Sequence, residues 1–482
     1  MWIDTPSRIA VLGAGPIGLE AALYARCLGY NVDVYERGRV CENVLRWGHV
    51  TMFSPFGLNR SPLGLAALAA QDEKYGAPED AALLTGRQWV QSYLLPLSKT
   101  DLVADSLHEN TAVVAVGRRG LLKSDMLPDR GRGDVPFCLL LRDDQGRERI
   151  ATAQVVIDTT GVYANPNWMG QGGIPAIGEV QLRDQIEHGL PDVLGADRTH
   201  YAGKHTLLVG SGHSAATTIV ALAQLAREVE GTRVTWITRP SIRECLRQES
   251  EWNEVNADGD ADVDADVDAD VDADVDADGE EGDDVEGGDV SSESADPSAD
   301  PIDRRSGPIP VIENDRLPER ARLAGAANRL ASGGEALVTY LRGNTISAVH
   351  RERPDGQFTI ELVGSSPGSY TFDRIVANVG GRPDAFLYRE LQVHECYATE
   401  GPIKLAAAVL GNCSADCLDV ATGGAELLVN PEPNFYVLGA KSYGRSSQFL
   451  YSAGLEQIRQ LFTIIGGREG LNLYQQTRSM TA

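Results

Sequence analysis

Gly13, Gly15 and Gly18 follow four apolar residues in the run IAVLGAGPIG (Ile9 to Gly18). That spacing does chemistry through absence. The first glycine allows a tight strand-to-helix turn. The second, lacking a side chain, lets a pyrophosphate approach the backbone, and the third lets helix and strand pack closely. The free N–H groups and positive dipole end of the helix then favour phosphate. Ala14, Pro16 and Ile17 complete the turn. Glu36 stands where the next strand should end, placed to accept hydrogen bonds from ribose hydroxyls, with Arg37 beside it.

A second copy reads TLLVGSGHSA (Thr206 to Ala215), with Gly210, Gly212, Ser214 and Ala215 in the corresponding places. No carboxylate ends its second strand. The chain there reads Trp236, Ile237, Thr238, Arg239, Pro240, followed by Arg243. Arginine at this position pairs with a 2′-phosphate, which favours NADPH over NADH. The competing reading makes Arg239 and Arg243 plain surface charges.

These residues need two strand–helix–strand units to position them. In the first, the pattern predicts a helix over about 17–28, a turn at Gly29 and a strand over 32–35. In the second it predicts a helix over about 214–229, a turn at Gly231 and a strand over 234–237. Each half closes on another apolar strand running into glycine, VVIDTTG from Val155 and RIVANVGGRP from Arg374. The expectation is an α/β chain with two Rossmann-like dinucleotide-binding domains.

Composition narrows the function classes. The 482 residues carry a net charge of −26, but 21 acidic residues and no basic ones lie between Asn256 and Asp303; without them −5 remains. Acidity is therefore local, and no basic footprint for nucleic acid exists. The segment repeats Ala-Asp-Val-Asp from Ala261 to Asp276 and offers almost nothing large and apolar to bury, so a disordered insert is expected. Asp274, Asp276, Asp278 and Gly279 resemble the start of a calcium loop, but its twelfth position falls on Val285, so no metal site is expected. The seven cysteines (27, 41, 138, 245, 396, 413 and 417) form no C-x-x-C pair. That usage suggests a reduced, cytoplasmic protein. No apolar run approaches the length of a membrane span, and no secretory signal is evident.

Two such fingerprints, the second of the Gly-x-Gly-x-Ser-Ala form, resemble the flavoproteins with two dinucleotide-binding domains. Among these are thioredoxin-reductase-like enzymes, flavin-containing monooxygenases and lysine or ornithine N-hydroxylases. The resemblance spans nearly the whole chain except the acidic insert. It implies a discontinuous FAD domain, 1–165 and 370–482, interrupted by an NAD(P)H domain, 166–369, that holds the insert 256–303. It assigns the Gly13–Gly18 turn and Glu36 to FAD, Val113 to an adenine contact, and Thr160 and Gly161 to the turn beneath it. Gly439 falls to the last flavin-site strand, and a helix over about 448–465 aims its N-terminus at the ring.

Trp47 lies in a segment, Leu45 to His49, similar to the flavin-side stretch of the monooxygenase branch. Asn165 to Trp168 looks like the crossing into the second domain. Trp47, His49 and Trp168 either line the flavin or pack. Two features depart from the pattern: no redox cysteine pair is present, and Ala440-Lys441 replaces the usual aspartate after the last glycine. The implied activity is hydride transfer from NADPH, with NADH as the alternative, to FAD. Electrons then pass to molecular oxygen and a small-molecule substrate. A reductase with another acceptor, or a flavin-binding scaffold whose acidic loop recruits a partner, stays open, as does a homodimer. No catalytic acid or base is assigned.

Overall fold

Strand β1 (Arg8–Leu12) is buried from Ile9 onward, as a strand covered on both faces requires. In the computed structural model, which describes residues 3–127, 129–240, 307–333, 336–411 and 423–481, β1 is the centre of a parallel five-stranded sheet. The order across it is β15 (Phe435–Val437), β7 (Val155–Asp158), β1, β2 (Asn31–Tyr35) and β3 (Leu107–His108). Strands from the two ends of the chain thus share one sheet.

A second parallel sheet repeats the plan. Its order is β10 (Val338–Arg342), β9 (Arg233–Thr238), β8 (His205–Val209) and β14 (Arg374–Ala377). Before its closing strand each half carries a three-stranded antiparallel sheet. These are β4 (Thr111–Arg118), β5 (Phe137–Asp143) and β6 (Glu148–Ala153) in the first half. In the second they are β11 (Asn344–His350), β12 (Phe358–Gly364) and β13 (Gly368–Phe372). Both open on a strand with an irregularity, at Val113/Ala115 and at Ile346/Ala348. An extra residue there bends the strand and raises its twist.

Helix Pro16–Cys27 starts with proline at its first position, where no N–H is needed. It packs into one core with helix Tyr451–Gly466, through Leu19, Leu23, Ile458, Leu461 and Phe462. Helix His213–Glu228 packs through Ala215, Ile219 and Leu222 against helix Pro318–Ala331 in a separate core. The expected helices and strands therefore form, with ends shifted by one to three residues. The last helix starts at Tyr451 rather than near Gln448 because Phe449 instead packs edge-on to Tyr443, 5.4 Å between ring centres. Among the described residues no helix is long and apolar enough to cross a membrane. The insert 256–303, Arg243, Cys245, Cys413 and Cys417 lie outside the described residues.

Candidate functional site

The three glycines of the first turn meet different surroundings. Gly13 has φ +96° and donates its N–H to Tyr35 O at 2.8 Å. A Cβ on Gly18 would lie 1.9 Å from Gly13 O and 2.7 Å from Thr159 Oγ1. Gly15 has an ordinary φ of −76°, and a Cβ there would meet no protein atom within 4 Å. Neither packing nor backbone conformation demands glycine at 15, and what it leaves is open space at the start of helix Pro16–Cys27. That helix has no side-chain cap and no acidic residue in its first turn. Its unpaired N–H groups and dipole fit a pyrophosphate.

The same pattern recurs in the second turn. Gly210 has φ +136°, and a Cβ there would sit 2.2 Å from Asn378 O. Gly212 faces nothing within 4 Å at the uncapped start of helix His213–Glu228. Ala215 is fully buried, and Ser214 is exposed on the first turn. Arg239 is exposed one residue past the end of β9.

Around the first turn the remaining residues are tied to its backbone. Glu36 accepts the Ala14 N–H at 2.8 Å on Oε2 and the Gly38 N–H at 2.9 Å on Oε1. Each oxygen keeps a second acceptor position for a ribose hydroxyl. Arg37 is exposed beside it. Thr111 N–H donates to the Glu36 main-chain carbonyl at 2.8 Å, so β4 starts beside this residue, with Val113 two residues along the strand. Ile17 is buried against Gly439 and Gly454, whose added Cβ atoms would lie 3.3 and 2.2 Å from its side chain. Gly439, at φ +74°, donates its N–H to the buried Gln457 Oε1 at 2.9 Å, which ties the end of β15 to the last helix. Gly161, at φ +71°, borders open space.

Beside Gly161 lies an ion pair that sequence reasoning missed. Lys441 Nζ is 2.7 Å from Asp158 Oδ2, and both side chains are wholly buried. The ammonium also donates to Thr160 Oγ1 at 3.0 Å. The Thr160 hydroxyl and N–H donate in turn to Asp158 Oδ1, at 2.7 and 3.0 Å. The available signal was register: Asp158 lies opposite Val437 across β7 and β15, four residues before Lys441.

Phe53 packs edge-on to His213, ring centres 5.5 Å apart. The crossing predicted at Asn165–Trp168 runs beside the returning strand, with Arg382 N–H donating to Asn165 O at 2.9 Å and Asn167 N–H to Gly380 O at 3.0 Å. Among the described residues, three half-buried side chains hold buried nitrogens with no hydrogen-bond partner: Trp47 Nε1, His213 Nε2 and both nitrogens of His188. His188 adjoins Gly189, whose carbonyl accepts from the Asn378 amide at 2.7 Å. Unpaired buried polar atoms are uncommon because each costs desolvation. Burial, with Arg320 second, lowers the His213 pKa, so its imidazole is neutral near pH 7.

Trp47 also packs on the first core, its ring against Gly86. Trp168 lies under the Arg183 guanidinium at 4.5 Å, a packing contact in the second half. Cys41 is buried, its thiol 3.6 Å from Ala14 O. Burial and then the nearby Glu36 push its pKa well up, so the thiolate is disfavoured.

No protein-family model and no curated protein matches the chain. Solved structures match its fold along almost its full length. The bacillithiol disulfide reductase of Bacillus cereus shares 15% identity over 96% of this chain and 99% of its own, with a TM-score of 0.57. The FAD-bound cadaverine monooxygenase of the desferrioxamine pathway of Erwinia amylovora shares 14% over 97% and 96%, at 0.56. The ornithine N-hydroxylase of Kutzneria sp. 744, solved with reduced FAD, NADP+ and L-ornithine, shares 13% over 96% and 100%, at 0.54. The chain has the fold of these enzymes.

Proposed function

We propose that the chain is an FAD-dependent NADPH oxidoreductase of the monooxygenase kind. The observation that carries the reading is the pair of open cradles. Gly15 and Gly212 each leave space at an uncapped helix start, while their partners Gly18 and Gly210 are held by contacts that no side chain fits. FAD belongs to the first cradle, with residues 1–165 and 370–482, and NADPH to the second, with 166–369. FAD, when bound, supplies acceptance of hydride from nicotinamide and its delivery onward.

The protein's part is positioning and electrostatics. The helix start at Pro16 binds the FAD pyrophosphate and Glu36 orients its ribose. Thr160, Gly161 and Gly439 shape the turn beneath it, and Val113 borders the adenine end. In the second cradle the helix start at His213, with Ser214, binds the NADPH pyrophosphate. Arg239 pairs with the 2′-phosphate. The Phe53–His213 contact joins the first half to the start of the second cradle's helix, and neutral His213 offers one nitrogen donor to bound nucleotide. The buried, protonated Cys41 argues against a thiolate mechanism at the first turn.

Two of the structural neighbours are a cadaverine monooxygenase and an ornithine N-hydroxylase, so primary amines are the first substrates to try. Turnover with NADPH and isotopically labelled oxygen gas should place one labelled atom in an amine product. Fast reduction of an artificial acceptor with no oxygenated product from any nucleophile assigns the chain to the reductases instead. Arg239→Ala should raise KM for NADPH several-fold and leave that for NADH unchanged; equal effects on both would remove the 2′-phosphate role.

A further inference from the structure

We infer that Lys441, with Asp158, is a positioning residue for the flavin site: a buried ionic clasp that fixes the Thr160–Gly161 turn and sets the charge beside the bound dinucleotide. The inference rests on the FAD reading above. Lys441 lies two residues past Gly439, and its counter-charge, Asp158, comes from the end of β7. Both charges are wholly buried at 2.7 Å. Desolvation makes such a pair a poor source of stability, since well-packed apolar residues do as well or better. Its geometry offers another use.

Asp158 spends one oxygen on Lys441 and the other on the N–H and hydroxyl of Thr160. Lys441 divides its protons between Asp158 and Thr160 Oγ1, and the Tyr388 ring face lies 5.0 Å from its nitrogen. Tyr388 is held from behind by Glu395, which accepts its hydroxyl at 2.7 Å. At the far end of the turn, a Cβ on Gly161 would meet no atom of the described residues within 4 Å. From the other side, Gln457 Nε2 donates to Ser442 Oγ at 2.9 Å and the Ser442 hydroxyl donates to Gly439 O at 2.7 Å. The clasp therefore joins β7, β15 and the last helix at the edge of the first cradle.

The test compares Lys441→Met, Asp158→Asn and the double variant, all reconstituted with FAD. Two readouts are taken: FAD affinity by fluorescence titration, and the flavin reduction potential. K441M leaves a bare carboxylate near an anionic ligand. FAD should bind about tenfold more weakly, the size of one lost charge-assisted hydrogen bond, and the potential should fall. D158N leaves a bare ammonium, and the potential should rise. In the double variant the shifts should cancel. A tenfold change in preference between oxidised and reduced flavin reads as about 30 mV.

Opposite signs in the two single variants support the clasp. Equal potentials in all four proteins overturn it, because a purely structural pair would lower thermal stability alone. If the single variants do not fold, Thr160→Val keeps the ion pair and the main-chain N–H bond to Asp158 but removes the hydroxyl that joins Lys441 to Asp158 across the turn. FAD affinity should then drop with the unfolding temperature of FAD-free protein unchanged, and unchanged affinity overturns the inference. A wild-type chain that takes up no FAD fails the functional reading itself, which separates the two failures.

Discussion

Alanine at Gly15 and at Gly18 should separate binding from folding within one turn. At Gly18 a Cβ would sit 1.9 Å from a backbone oxygen, and neither partner is a flexible side-chain end. Strand and helix must move apart, and overpacking of this kind costs about 1–3 kcal/mol or more. At Gly15 the added methyl meets nothing, and φ of −76° suits alanine. Lower unfolded-state entropy gains roughly 0.4–1 kcal/mol. Alanine is a poorer N-cap than glycine by a similar amount, so FAD-free stability should stay within about 0.5 kcal/mol of wild type.

Binding should reverse the order of blame. The Gly15 methyl enters the cradle and displaces phosphate from the helix start. Loss of one charge-assisted bond, about 1.5–3 kcal/mol, weakens FAD binding roughly 10- to 150-fold. Urea unfolding of FAD-free protein gives the first quantity and FAD titration the second. Gly15→Ala protein that binds FAD as wild type does, or that unfolds as readily as Gly18→Ala, refutes the cradle.

Burial pushes the Glu20 carboxyl up to about 7, against the lowering effect of the Ser61, Tyr474 and Tyr451 hydroxyls, the last 3.4 Å away. A raised acid stabilises the fold fully below its unfolded value of 4.5 and loses that contribution as pH rises through about 7. Wild type should therefore lose on the order of 3 kcal/mol relative to Glu20→Gln between pH 4.5 and 8, read from denaturant midpoints; parallel profiles would contradict it. Glu432 is buried between two guanidiniums, Arg118 Nε at 2.7 Å and Arg132 Nε at 3.1 Å, and accepts the Gln392 N–H at 2.8 Å. Glu432→Gln strands two buried cations and should cost about 3–5 kcal/mol, with a change under 1 kcal/mol in urea unfolding counting against a buried ion knot.

The parts of the fold legible in the sequence are those written in short-range pattern. An apolar run, a glycine turn and a helix at fixed spacing state a local geometry, so both cradles and the strands flanking them could be read from residues 9–35 and 206–237. Helix ends blurred where tertiary contact competes, as when Phe449 leaves the helix to pack on Tyr443. The antiparallel inserts were less legible beyond the strand that carries Val113: β6, exposed over its first three residues, lacks a clean alternation. The Asp158–Lys441 and Arg118–Glu432 pairs join residues 283 and 314 positions apart. No local spacing encodes such pairs; they follow from which strands become neighbours.

The most direct test of an FAD cradle coupled to an NADPH cradle is anaerobic mixing of FAD-reconstituted protein with NADPH while flavin absorbance is followed. One FAD should bind per chain, and stoichiometric NADPH should bleach its visible band faster than NADH does. Protein that stays colourless after exposure to FAD, or bound flavin that NADPH and NADH both leave oxidised, would contradict it.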